Sequence, residues 1–272
     1  MTVAPGFGMW REIGDRVFVH SFADFRLNVG LVVGGESVLV IDTRASSRQG
    51  ADLQSAIALV TRLPQVVVNT HHHFDHSFGN GAFAHSEIWG HPQCVARMLE
   101  EAETSKVALA AVMPEVAAEY TETRITVPNR TIRERAAVDL GGRTVELVHL
   151  GLGHTDNDVV AVVADASVVF AGDLVEEGAP PSFEDSYPMQ WPGTLAGLLA
   201  RADGAVVPGH GAVVDRAFVA GQMAELKALG DIARYVRFEG GTVDDALPDS
   251  PFSGEAGRKA MERAFAELAG EI

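Results

Sequence analysis

Six consecutive residues, His71-His72-His73-Phe74-Asp75-His76, constrain this chain more than any other feature. They follow directly on the run Gln65-Val66-Val67-Val68-Asn69-Thr70, which reads as a buried strand. If the chain stays extended past that strand, positions i, i+2 and i+4 face one side. His71, His73 and Asp75 then converge, His72 points away, and His76 reaches an adjacent point where the chain turns. Three more residues of the same chemistry follow: His154 in Gly153-His154-Thr155, Asp173 in Gly172-Asp173-Leu174, and His210 in Pro208-Gly209-His210-Gly211. Each comes after an apolar β run and lies beside glycine. Strand ends on tight turns are where a rigid scaffold presents reactive groups. A set of imidazoles and carboxylates suits one or two borderline metal ions, and a carboxylate has two oxygens with which to bridge them.

The bland readings differ by residue. A histidine run can be a purification tag, but tags sit at termini and this run is internal. Alone, His154 or His210 reads as structural and Gly-Asp as a turn. His20, His72, His85, His91 and His149 keep the structural reading, and Cys94 reads as a small packed or surface thiol.

The rest of the chain supplies a frame. Residues 16–20, 26–34 and 37–42 read as strands, the last ending in Asp42. Ser46 and Ser47 are capping residues for a helix with Leu53, Ile57, Val60 and Leu63 on one face, closed by Pro64. Residues 71–81 read as a polar loop. A helical stretch over 91–120 is interrupted by Pro114. Strands are expected at 123–128, 143–149, 158–163, 167–172 and 205–207, with helices near 193–202, 215–237 and 254–269. There is no repeat and no low-complexity linker. Two β-rich halves, each with helices, predict two packed sheets with helices outside, in one domain over 1–272 with a helical C-terminal segment at about 215–272.

Composition excludes several classes. With one cysteine in 272 residues, an intrachain disulfide and a multi-cysteine zinc site are both ruled out. A net charge of −16 works against a non-specific grip on nucleic acid or anionic membrane. The opening MTVAPGFGMWREIGDRV lacks the pattern of a secretory signal, and no run approaches the ~18 apolar residues of a membrane span. The expectation is a cytoplasmic protein with a small-molecule substrate and no nucleic-acid or membrane partner. Its oligomeric state stays open.

With these motifs in hand, the sequence resembles the metallo-β-lactamase superfamily over about residues 16–211. His71-x-His73-x-Asp75-His76 is similar to the family's hallmark, Asp42 to the acidic residue ending an early strand, and Gly153-His154-Thr155, Gly172-Asp173 and Pro208-Gly209-His210-Gly211 to its later motifs in order. The resemblance implies a mixed α/β αββα sandwich with the metals at one edge of the sheets. It implies His71, His73 and His154 on one metal, Asp75, His76 and His210 on the other, and Asp173 bridging. The implied cofactor is two Zn²⁺, with Fe or Mn as alternatives. Asp42 is expected to stand behind the ligands, supporting His71 or a neighbouring turn by a hydrogen bond.

Metal coordination lowers the pKa of bound water to roughly 7, so a metal-bridging hydroxide is the expected nucleophile. Asp75 is then both ligand and proton acceptor, the expected catalytic residue. A small ester, thioester, lactone or lactam is the expected substrate. The best-known β-lactamase subclass has cysteine where Asp173 stands. Flavodiiron proteins have glutamate where His73 stands. The nuclease branches carry clamp segments not seen here. The lactonases place a tyrosine soon after the bridging aspartate, whereas Tyr187 comes 14 residues after Asp173. Glyoxalase II shares the histidine and aspartate set, but its basic, tyrosine-containing C-terminal grip cannot be matched here. A mononuclear-iron enzyme resembling the persulfide dioxygenases is the alternative. Loops bordering the metals should bind substrate: 21–30 with Phe22, Phe25 and Arg26, the helical insertion 95–120, and 176–191 with Phe183, Tyr187, Met189 and Trp191. Met189 and Trp191 have packing against the next helix as an equal reading.

Overall fold

The computed structural model describes residues 9–272. Residues 1–8, on which much of the leader reading rests, lie outside the described residues. The first sheet holds β1 (Arg11–Gly14), β2 (Val17–Ser21), β3 (Asn28–Val33), β4 (Val38–Ile41), β5 (Gln65–Val68), β6 (Glu87–Gly90) and β7 (Arg130–Thr131), side by side in that order. It is antiparallel through β4 and parallel from β4 to β7. The second holds β8 (Arg135–Asp139), β9 (Thr144–Val148), β10 (Val160–Val163), β11 (Val168–Glu176) and β12 (Ala205–His210), with only β11 and β12 parallel.

The helices are α1 (Ser47–Ile57), α2 (Phe74–Ser77), α3 (Pro92–Val112), α4 (Ala117–Thr121), α5 (Trp191–Leu199), α6 (Arg216–Phe238), α7 (Val243–Ala246) and α8 (Gly254–Ala269). Apolar period 2 assigns each strand face to a layer. On β4, Val38 and Val40 join Leu53 and Ile57 of α1, whereas Leu39 and Ile41 join the inter-sheet core. On β11, Val168 and Phe170 face that core, while Val169 and Ala171 pack with Leu195 and Leu198 of α5 and Leu226 of α6. The three clusters separate four layers, helix, sheet, sheet and helix. The αββα sandwich expected from the sequence is the observed fold.

Several local expectations are corrected. Helix α1 stops at Ile57, and Val60 and Leu63 reach the same core from beyond it. Residues 123–128 form no strand because their polar groups are taken locally: Thr123 Oγ1 donates to Glu119 O, Ser47 Oγ accepts from Arg124 N, and Thr126 O accepts from Asn80 Nδ2. Strands β1, β7 and β8 are largely exposed and carry too weak an apolar period to be read. Helix α7 interrupts 239–254, which reads as a loop.

Candidate metal centre

Strand β5 delivers Thr70 and His71 to the C-terminal edge of the first sheet. The chain does not stay extended beyond His73, as the alternation reading required. It turns into α2, with Ser77 Oγ 2.8 Å from His72 O and 2.9 Å from His73 O. His71 and His73 therefore face one point, while Asp75 and His76 face its neighbour. From the second sheet, β11 brings Asp173, β12 brings His210, and the turn before β10 brings His154. The glycine beside His210 has a physical reason: a Cβ at Gly209 would lie 1.7 Å from Asp173 Oδ1.

All seven motif residues come together. His71 Nε2 and His154 Nε2 lie 3.1 and 2.9 Å from His73 Nδ1. His76 Nε2 lies 3.3 Å from His210 Nε2, and Asp75 Oδ2 is 3.7 and 3.3 Å from those two atoms. Asp173 stands between the groups. Its Oδ1 is 3.2 Å from His76 Nε2, and its Oδ2 is 3.2 Å from His210 Nε2, 3.6 Å from His154 Nε2 and 3.8 Å from His71 Nε2. His71, His73, His154 and Asp173 form one set able to hold a metal ion, Asp75, His76 and His210 form another, and His72, His73 and Asp185 form a third, more exposed set that shares His73 with the first.

The opposite ring nitrogens explain which way the lone pairs point. His76 Nδ1 donates to Asp42 Oδ2 at 2.8 Å, and His210 Nδ1 donates to Phe25 O at 2.8 Å. Thr70 Oγ1 donates to Asp42 Oδ2 and accepts from His71 Nδ1 at 3.0 Å. His73 Nε2 donates to Asp185 Oδ1 at 3.2 Å. These partners leave His71, His76 and His210 with free Nε2 lone pairs and His73 with a free Nδ1 lone pair, aimed inward. Asp173 Oδ1 is buried with no hydrogen-bond donor. Facing lone pairs and an orphaned carboxylate oxygen are what a cation resolves, so the residues fit a metal ion.

The electrostatics agree. Burial lowers His71, and lowers His154 to about 4, so both rings stay neutral donors of a lone pair. Burial alone would lower His76 and His210 too. Asp173 and Asp75 overcome it, raising His76 well above its ordinary value and His210 to about 9. Burial opposes ionisation of Asp173, but His210, His76 and His71 hold its carboxyl well below the usual range. The cluster thus demands positive charge, supplied by protons or by a cation.

Asp42 stands behind the cluster, but its direct partner is His76, and it reaches His71 only through Thr70. Sequence reasoning missed Asp185, the carbonyl of Phe25, and Glu176, whose Oε1 lies 4.0 Å from His154 Nδ1. No motif marks them. His72 is buried and hydrogen-bonded to Asn157, and it faces Asp185 at 3.6 Å. His149 does not touch the cluster. Its Nδ1 lies 2.8 Å from Asp158 O, and its ring stacks on His91. A cavity of about 430 Å³ opens on the cluster, lined by Phe25, Phe74, Ala179 and Glu184 among others. Phe183, offered as a pocket residue, is instead buried in the core, and Trp191 takes the packing one of its two readings, buried with its Nε1 donating to Leu174 O. Met189 packs partly against the same core. The 95–120 insertion contributes Arg97, Met98 and Glu101 to a smaller cavity of about 70 Å³ beside His72 and His73.

An αββα frame with such a cluster at its edge defines a class of metal-dependent hydrolases. The sequence pattern described as the metallo-beta-lactamase superfamily matches residues 24–211, and the chain belongs to that family. Human acyl-coenzyme A thioesterase MBLAC2 is 26% identical over 234 residues, which cover 74% of this chain and 80% of the relative. The DIM-1 metallo-beta-lactamase superposes with a TM-score of 0.64 at 17% identity, over 81% of this chain and 98% of its own. The sec-alkylsulfatase Pisa1 from Pseudomonas sp. superposes with a TM-score of 0.76 at 14% identity, over 97% of this chain and 50% of its own. These structural likenesses concern the fold. Among the described residues no helix is long and apolar enough to cross a membrane.

Proposed function

We propose that this chain is a two-ion hydrolase of a small acyl thioester. His71, His73 and His154 would hold one ion, Asp75, His76 and His210 would hold the other, and Asp173 is placed to serve both. The observation that carries the reading is the placement of Asp173 between two complete sets of inward-facing donors. The second set favours two ions over a single iron. Zinc suits the imidazole-rich donors. Bound there, the ions would supply hydroxide at neutral pH and polarise a carbonyl oxygen. The chain's own work is then positional. Asp42, Thr70, Asp185 and the Phe25 carbonyl hold the imidazoles in one tautomer. Asp75, at the cavity wall, would take the proton from the attacking hydroxide and pass it to the thiolate sulfur as the C–S bond breaks, so that a carboxylate and a thiol leave. Phe25, Phe74 and Ala179 offer apolar surface to the acyl portion. The thioester is preferred among the ester-like substrates because the MBLAC2 relatives are named acyl-coenzyme A thioesterases.

The reading includes one domain over 1–272, because α6, α7 and α8 share a core with β11 and α5. The deciding experiment is metal analysis of untagged protein purified without chelator, followed by thioester, ester, lactone and lactam panels. About two zinc ions per chain and thioester turnover are expected. One iron per chain with oxygen uptake on persulfides would replace the proposal by the dioxygenase reading.

A further inference from the structure

We infer that Asp185 is a positioning residue for the metal centre, and that helix α8 is the element that sets it in place. The inference rests on the proposed role of His73 as a metal ligand. Asp185 is the meeting point of two consecutive histidines. Its Oδ1 lies 3.2 Å from His73 Nε2, and its Oδ2 lies 3.6 Å from His72 Nε2. Asn157 settles the tautomer of His72. Its Oδ1 accepts the His72 backbone N–H at 3.0 Å, so its Nδ2 is the atom facing His72 Nδ1 at 3.0 Å. His72 Nδ1 must accept, and its proton is on Nε2, which lies 3.6 Å from both Asp185 Oδ2 and Glu101 Oε2. The carboxylate thus faces two N–H groups, one on each oxygen. With its proton held at Nε2, His73 has only Nδ1 to direct at His71 and His154. A flipped ring would break that convergence.

Asp185 lies on the irregular loop 177–190, outside any helix or strand. Helix α8 supplies the hold. Three of its residues, spaced four apart on one face, meet the loop in order. Lys259 pairs with Glu184. Arg263 donates from Nη2 to Asp185 O at 2.9 Å and from Nε to Ser186 O at 2.7 Å. Glu267 accepts from Met189 N at 2.7 Å and from Gln190 Nε2 at 3.2 Å. The loop is also tied to the His154 turn, where Tyr187 N donates to Gly153 O at 2.8 Å. The family match ends at residue 211, so this strap lies outside it. The geometry therefore links the C-terminal segment to the orientation of one imidazole in the centre.

The test is zinc affinity of the metal-free chain, by competition with a chromophoric chelator, for wild type, Asp185→Asn, Arg263→Gln, His73→Ala and the Asp185→Asn/His73→Ala double variant. Asp185→Asn should weaken zinc binding about 10–100-fold, the range for partners standing behind a metal ligand. Arg263→Gln should weaken it in the same direction by less. In the His73→Ala background, Asp185→Asn should change nothing, because its lever is gone. Affinity within twofold of wild type in Asp185→Asn overturns the inference, as does a full loss that persists without His73. If Asp185→Asn does not fold, Arg263→Gln decides alone: it leaves every proposed ligand and the Glu267 contacts intact, and wild-type affinity there overturns the inference. His73→Ala binding zinc like wild type would instead overturn the ligand reading itself.

Discussion

The imidazole of His76 donates from Nδ1 to Oδ2 of Asp42 at 2.8 Å, and both side chains are almost wholly buried. The same carboxylate accepts from the backbone N–H and the hydroxyl of Thr70, each at 2.8 Å. One aspartate thus steers His76 directly and His71 through a hydroxyl, and so reaches both halves of the cluster. Its φ of +67° is a left-handed conformation that Asp and Asn tolerate better than most residues. Asp42→Asn should therefore fold, at a cost of about 1–3 kcal/mol for the imperfectly partnered buried donors. Metal affinity should fall about 10–100-fold. Denaturant unfolding and a zinc titration check both, and an unchanged zinc affinity would remove Asp42 from the centre.

Two glycines make opposite predictions. A methyl group at Gly209 would meet Asp173 Oδ1 at 1.7 Å, whereas one at Gly221 on α6 meets nothing within 4 Å. Gly209→Ala should displace the bridging carboxylate, abolish metal uptake and cost about 1–3 kcal/mol through overpacking. Gly221→Ala should stabilise the helix by roughly 0.5–1 kcal/mol. Equal thermal unfolding and metal content in the two variants would contradict the packing described.

Asp75 lines the cavity and is also one of the proposed ligands. Asp75→Ala should reduce hydrolysis at least 10²–10⁴-fold, the usual worth of a positioned base, with little change in the far-UV circular dichroism. His210→Ala should lower the metal content by about one ion per chain. A variant at position 75 that keeps most of the activity would remove it from the mechanism. Unchanged metal content in His210→Ala would end the two-ion assignment.

A pH effect is expected away from the metal. His20 stacks on Phe22 with ring centroids 4.0 Å apart, its Nδ1 has no partner, and burial together with the Arg44 charge lowers it to about 4. An unfolded histidine titrates near 6.5, so between about pH 6.5 and 4 the unfolded chain binds the extra proton. The stability contributed by a neutral His20 is full above pH 6.5 and is lost as the pH falls toward 4, by on the order of 3 kcal/mol. His20→Phe should remove that part of the slope. The cluster histidines titrate in both proteins, so the difference between their unfolding curves isolates position 20. Parallel curves would show that His20 is charged in the folded chain.

Much of this molecule was legible without coordinates, because the information was local. Apolar period 2 marked β2 to β5 and β9 to β11, apolar period 3.6 marked α1 and α8, and glycine beside His or Asp marked the strand ends that carry the motif residues. Exposed edge strands bury too few residues to print a period, so β1, β7 and β8 were silent. Phe183 shows the limit of composition: an aromatic in a loop near the site reads as a pocket wall, yet it is buried in the core with Trp191. The tautomers were beyond the sequence altogether. His73 depends on Asp185, 112 residues away, and His210 on the Phe25 carbonyl, 185 residues away. Residue chemistry and spacing determined that seven donors exist and which strand ends carry them. Only the packing of two sheets, with α8 strapped across the loop, decided which lone pair each imidazole presents, since that choice belongs to partners the chain brings together only when folded.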